Sequence, residues 1–263
     1  MAGVAAAIGV FHPAIFRDAP MTAGNARGTT LVILVVALPT VAVSMYLAAR
    51  GSLRARITWL GALGYILYNS LVFAFATAFN PLFLLYVAAL SLTLWSLVTL
   101  LTGFDIAGLA GHVSPRLRVR MIGGYLVAVT LLFFVAWMRD IVPALLDNGV
   151  PASLEGTKML TNPIEVMDLS AAFPLQLLAG IWLWRRRPWG YLLSGLFLVM
   201  LTIEGVSVTA DQIFGHISDP SQPLSAVPLF AALAVVGLVP TVAFLRGVRG
   251  QPSPTRRGAA PAP

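Results

Sequence analysis

Seven stretches of 16 to 23 residues, at 31–49, 57–79, 82–102, 121–138, 169–184, 189–209 and 227–245, hold one charged side chain between them, Glu204. A helix needs about 20 apolar residues to cross a hydrocarbon core ~30 Å thick, so the run lengths predict a chain that crosses a membrane seven times. Composition agrees. Hydrophobic residues make up 58% and charged ones 10% of the 263 residues, with a mean hydropathy of +0.86. Soluble domains average about 25% charged, which excludes a soluble globular fold.

The chain has no cysteine, which excludes disulfides, thiolate metal sites, c-type haem attachment and cysteine nucleophiles. The net charge of +7 reflects loop arginines and implies no nucleic-acid partner. Lys158 is the one lysine beside sixteen arginines, a usage typical of a GC-rich bacterial genome.

Thirteen basic residues fall in alternate connections: Arg50, Arg54 and Arg56; Arg116, Arg118 and Arg120; Arg185 to Arg187; then Arg246, Arg249, Arg256 and Arg257. The other connections hold Arg17, Arg27, Arg139 and Lys158. The positive-inside rule puts the arginine-rich side and the C-terminus in the cytoplasm and residues 17–30 outside, in a bacterial plasma membrane. Asp140, Asp147, Glu155, Glu165, Asp168, Asp211 and Asp219 then lie on the outer side. Trp59, Trp182, Trp184, Trp189 and Trp137 fall at span ends, as an aromatic belt requires. The fifth span, of 16 residues, is short, so its helix is expected to continue through Asp168 toward Ile164.

Four matches recur in the same order. Pro13-Ala14-Ile15-Phe16 pairs with Pro143-Ala144-Leu145-Leu146, and Ala37-Leu38-Pro39 before Arg50 with Ala172-Phe173-Pro174 before Arg185. Arg56 and Trp59 pair with Arg186 and Trp189, and Pro81-Leu82-Phe83 with Pro228-Leu229-Phe230. The offsets are 130, 135, 130 and 147. They predict two four-helix units entering the membrane in the same sense, 1–119 and 120–245, followed by a disordered cytoplasmic tail at 246–263. The first unit then lacks most of its first helix, and an upstream start is expected. The fold expected is an all-α polytopic transmembrane bundle, seven full spans plus a partial N-terminal helix, in a parallel 4+4 internal repeat.

The runs Trp59-Leu60-Gly61-Ala62-Leu63-Gly64-Tyr65, Asn80-Pro81-Leu82-Phe83-Leu84-Leu85-Tyr86, Asn162-Pro163-Ile164-Glu165-Val166-Met167-Asp168-Leu169 and Trp184-Arg185-Arg186-Arg187-Pro188-Trp189-Gly190-Tyr191 resemble those of a family of uncharacterised, largely actinobacterial, polytopic membrane proteins. The resemblance covers about residues 13–200 and implies a complete helix before Pro13. It implies no activity, substrate or catalytic residue. Where such proteins tend to carry Asn-Asp after an Arg-Gly, this chain has Arg27-Gly28-Thr29-Thr30.

Two polar sets stand out. Gly61, Tyr65, Tyr68 and Asn69 share a helix face, and Asn69 is thirteenth of 23 in the second span. A tight Asn80-Pro81 turn would put Ser91 and Thr93 level with it, and Thr130 and Gln176 are central in their spans. That midplane cluster reads as interhelical hydrogen bonding or as a solute path. The second set is an outer acidic vestibule formed by Glu204, Asp211, His216, Asp140 and Asp168, with Glu204 placed in the outer leaflet. It reads as loop acids obeying orientation bias or as a cation-attracting mouth. The connection from Arg139 to Asp168 is expected to fold over the outer face, with 141–146 at the interface and Ser153 to Glu155 opening a short helix. Pro39, Pro174 and Pro240 interrupt their spans, and the inner arginines fit anionic lipid headgroups.

No zinc helix, serine elbow, phosphate-binding glycine loop or intramembrane lysine is present, so no catalytic residue, metal or cofactor is expected. Two functions remain. With no coupling charge at the bilayer centre, the first expectation is a non-enzymatic membrane component such as a sensor or assembly partner. The alternative is a transporter or channel for a small solute, ion or lipid along the repeat interface. A protein partner or homo-oligomer is left open.

Overall fold

The computed structural model describes residues 1–249, so the expected tail lies outside the described residues from position 250 on. The described residues form eight main helices: α1 Ala2–Phe11, α2 Pro20–Ala49, α3 Leu53–Phe75, α4 Phe83–Thr102, α5 Val119–Leu146, α6 Pro163–Trp184, α7 Pro188–Ser218 and α8 Val227–Gly247. The seven from α2 on are long and apolar enough to cross a membrane. Among the described residues the only β contact is an isolated bridge between Val113 and Val248. Val35, Val43, Leu84, Leu92, Trp95, Val135, Val235 and Val239 stand exposed on the helix surfaces, an arrangement suited to lipid and untenable in water.

Several helices outrun their apolar stretches. Instead of starting at residue 31, α2 starts at Pro20, whose ring suits the first turn, and runs for 30 residues, about 45 Å. Its polar first half is helical because it lies along the equally long α7. Gly24 and Gly28 make that approach close: a Cβ on Gly28 would sit 2.7 Å from the Ala210 carbonyl carbon and from Asp211 N. Such glycine pairs, four residues apart, let membrane helices meet backbone to backbone. The helix α5 runs on to Leu146 with Pro143 inside it, so 141–146 is helical. Residues 152–154 form a single 3-10 turn. The fifth span extends outward to Pro163, in line with its expected continuation.

Neighbours in sequence pack in sequence: α1 on α2, α2 on α3, α3 on α4, then α5 on α6, α6 on α7 and α7 on α8. The central helix is α7, which also lies against α2 and α3. Its crossing with α3 is tight at Gly61, where a Cβ would meet the Leu196 carbonyl oxygen at 2.7 Å. Ile57, Leu60, Tyr65, Leu192, Leu198 and Phe244 are fully enclosed in the core. With apolar lipid outside, this core is held by van der Waals packing rather than by expulsion of water.

Certain local structures occur twice, 135 residues apart. Pro39 and Pro174 each lack an N–H and crowd the carbonyl four residues back. Each is preceded by one π-helical turn, Ile33–Ala37 and Asp168–Ala172, in which Leu38 N bonds Ile33 O and Phe173 N bonds Asp168 O, five residues back. The helices ahead of α3 and α7 end at Ala49 and Trp184. In the turns that follow, Gly51 and Arg186 take positive φ, 85° and 52°. Gly51 N donates to Ala48 O and Ser52 N to Leu47 O, while Arg186 N donates to Leu183 O and Arg187 N to Trp182 O. α3 and α7 then start at Leu53 and Pro188. The spacing through these helices is therefore 135, and the pairing of Arg56 and Trp59 with Arg186 and Trp189 at 130 does not match these boundaries.

At the arginine-rich end the arginines bind protein carbonyls. Arg54 Nε donates to Val248 O at 2.5 Å, and Arg56 Nη2 to Gly103 O at 2.8 Å while stacking on Phe104 at 4.4 Å. Arg186 Nη2 reaches Pro115 O at 3.2 Å. At the other end α3 stops at Phe75, and residues 76–82 form a longer connection than the tight turn expected at Asn80-Pro81. Asp18 Oδ1 accepts from Ala78 N, and Asn80 Oδ1 from Leu82 N.

Candidate solute cavity

Before its π turn α2 has 13 helical residues, Pro20–Val32, whereas α6 has five, Pro163–Met167. The difference of eight residues is about 12 Å of helix. Where α2 closes tightly on α7, the shorter α6 meets α3 chiefly over Pro163–Met167, and the space left between them is a cavity of about 470 Å3. That volume suits a small organic molecule. Its walls come from α2, α3, α5, α6, α7 and α8, and Ser153, Thr157, Met159 and Asn162 of the 147–162 connection complete them. The connection thus folds over this end of the bundle.

Asp168, within the π turn, lines the cavity and is held at both oxygens: Tyr68 Oη donates to Oδ1 at 3.0 Å and Trp137 Nε1 to Oδ2 at 2.9 Å. Glu204 accepts from Asn69 Nδ2 at 3.1 Å on Oε2. Asp211 accepts from Thr29 Oγ1 at 2.9 Å on Oδ1. Asn25 lies next to it; in the amide orientation that satisfies its neighbours, its nitrogen donates to Asp211 O at 2.8 Å and to Gln222 Oε1 at 3.2 Å. Gln176 donates to Leu126 O at 3.1 Å and also lines the space. Among the described residues no lysine, arginine or histidine lies on the wall. Among the described residues no group of three His, Cys, Asp or Glu is placed to hold a metal ion.

The two polar sets anticipated as separate layers meet here. Tyr68, Asn69 and Gln176 of one set share the cavity wall with Asp168, Glu204 and Asp211 of the other. Asn69 is seventeenth of the 23 residues of α3, not thirteenth, because the helix begins at Leu53 and stops at Phe75. It lies about 24 Å along α3, off the centre and level with Glu204, to which it bonds. Glu204 is correspondingly enclosed by protein rather than directed to the membrane surface.

The remaining candidates lie elsewhere. Tyr65 donates to Ser207 Oγ at 2.9 Å in the α3–α7 core. Thr130 is buried and bonds Leu126 O at 2.8 Å. Ser91 is exposed on α4 and Thr93 is buried there, neither on the cavity wall. Asp140 accepts from Ala152 N and Ser153 N, anchoring the connection, and His216 Nδ1 pairs with Gln222 O at 2.8 Å. Just past α7, Asp219 is held below the usual carboxylate range by the hydroxyl and N–H of Ser221.

Sequence pattern does not mark every polar wall residue. Trp137, at a span end where an aromatic belt is expected, points its indole N–H to Asp168. Asn25 and Thr29 fall in a stretch expected to lie outside the membrane, although their i, i+4 spacing marks one helix face. Family models, curated proteins and solved structures give no match to this chain. Fold and cavity define a polytopic helical membrane protein with an acidic internal cavity.

Proposed function

We propose that this chain is a solute-binding protein of the transporter kind, made of two related four-helix units that enter the membrane in the same sense, with the cavity between them as the binding site. The observation that carries the reading is the cavity itself: polar side chains from both units converge on a volume of about 470 Å3 where α6 is cut short relative to α2. The recurring π turns and positive-φ turns support the duplication. Units related in this way commonly hold substrate at their interface. A dry structural or sensory component accounts less well for Asp168, Glu204 and Asp211 all lining one space.

The arginine distribution orients the protein with the cavity end outside and the C-terminus in the cytoplasm of a bacterial plasma membrane. Anionic headgroups meet Arg116, Arg118 and Arg120. Because the chain has no cysteine, Asn69→Cys and Gln176→Cys can be probed with a membrane-impermeant maleimide added from either side. Labelling of both positions from the arginine-poor side is expected, and failure of both to label from either side would reject a solvent-filled cavity.

A further inference from the structure

We propose that the cavity selects an organic cation with two ammonium groups, one bound at Glu204 and the other at Asp211. This inference rests on the reading of the cavity as a solute site and names the chemistry of the solute.

Three features carry it. First, two carboxylate oxygens are left over. Asn69 takes Glu204 Oε2 and Thr29 takes Asp211 Oδ1, but among the described residues no donor reaches Glu204 Oε1 or Asp211 Oδ2. Both side chains line the cavity. Asp168 differs, since Tyr68 and Trp137 occupy both of its oxygens.

Second, the described residues offer these carboxylates no cationic partner on the cavity wall. Enclosed carboxylates are costly to ionise without a partner. A cationic solute removes the cost, whereas an anion would add to it. A bare metal ion fits poorly, because calcium takes six to eight oxygen ligands and the carboxylates are too scattered to act as one group. Glu204 and Asp211 are seven residues apart on α7, about 10 Å along the helix. Two ammonium groups on a short flexible chain can reach both; a single charge can reach only one.

Third, the rest of the wall suits an alkyl chain. Phe133 stacks on Phe230 with ring centroids 5.7 Å apart and lies 6.5 Å from Trp137, and all three line the cavity. Aromatic faces attract ammonium groups and pack on methylenes.

The test is thermal stabilisation and isothermal titration of the full chain in lipid nanodiscs with putrescine, cadaverine and hexamethylenediamine. Butylamine serves as the single-charge control, butanediol as the uncharged one, and calcium and magnesium chloride as the metals. At least one diamine is expected to bind ten-fold or more tighter than butylamine, with butanediol and the metals silent. Glu204→Gln and Asp211→Asn should each weaken diamine binding at least ten-fold while Ser91→Ala does not. Glu204→Asp, which keeps the charge, should bind if Glu204→Gln proves unstable. Equal binding of butylamine and the diamines, binding of butanediol, or no diamine binding would overturn the proposal. Maleimide labelling of Gln176→Cys in the same nanodiscs separates the two readings. A reactive position with no diamine binding leaves the cavity standing and removes its cation, whereas an unreactive one removes the cavity as well.

Discussion

Asn69 and Glu204 are each the seventeenth residue of their helix, α3 and α7, and they hydrogen-bond to one another at 3.1 Å across the helix crossing. The amide also donates to Tyr65 O at 3.1 Å, which fixes its rotamer. Replacing Asn69 with leucine would leave a carboxylate oxygen enclosed with no donor, a loss of about 1–3 kcal/mol. Removing both partners is cheaper than removing one. Thermal unfolding in detergent should therefore place Asn69→Leu/Glu204→Leu closer to the parent protein than Asn69→Leu alone. Additive losses would mean that the two side chains do not act as a pair.

The α2–α7 seam makes a sharper mechanical prediction. Any Cβ at Gly28 collides with backbone at Ala210 and Asp211, and backbone cannot rotate out of the way. Gly28→Leu should lower stability by about 1–3 kcal/mol or more through overpacking, seen as a fall in melting temperature and in folded yield. Gly111→Leu, at a glycine with open space around it, should be close to neutral.

A third prediction concerns the π turn that carries Asp168. The turn holds one residue more than an α-helix would need, and Ala171 within it is exposed. Deleting Ala171 should return α6 to regular helix and rotate everything before it by about 100°. Asp168 would then leave Tyr68 and Trp137. Solute binding should be lost while the helical circular dichroism signal stays within about a tenth of the parent, since the change affects a single turn of the chain. Retained binding would show that the wall does not depend on this turn.

Much of the fold was legible because apolar runs report directly which backbone must satisfy its own hydrogen bonds in lipid. What they do not report is helix that continues by packing on other protein. Residues 20–30 look like an external segment by hydropathy, yet Gly24 and Gly28 make them one side of a tight helix pair. The apolar run past Phe75, with Arg54 and Arg56 ahead of it, shifted the expected second span four residues along the chain and so gave Asn69 the wrong place in its helix. The carboxylates of the cavity were each visible in the sequence, but their convergence depends on α6 being eight residues shorter than α2, a difference hidden where helix starts cannot be located from polarity. Equivalent places in the two series also carry unlike residues, Asn69 with Glu204 and Gly51 with Arg186. Chemical similarity shows the spacing of 135 at Pro39 and Pro174 and loses it at Arg56 and Trp59.

Lys158, the chain's one lysine, offers a single-site report on both orientation and cover. It is exposed in the 147–162 connection, with its Nζ donating to Arg17 O at 2.9 Å. Beside Asp140, the connection is tied down through Glu165, whose Oε1 accepts from Ser153 Oγ at 2.8 Å and Asn162 Nδ2 at 3.0 Å. A lysine-specific protease added to intact cells should make one cut and yield two fragments, and in inverted vesicles it should make none. Cutting only in inverted vesicles would reverse the orientation. Cleavage requires local opening of the segment. Glu165→Ala removes two hydrogen bonds of about 1 kcal/mol each and should speed the cut by about five-fold or more, while Glu165→Gln, which keeps an acceptor oxygen, should change it less. An unchanged rate in Glu165→Ala would mean that the cover is held by Asp140 and its two N–H donors instead.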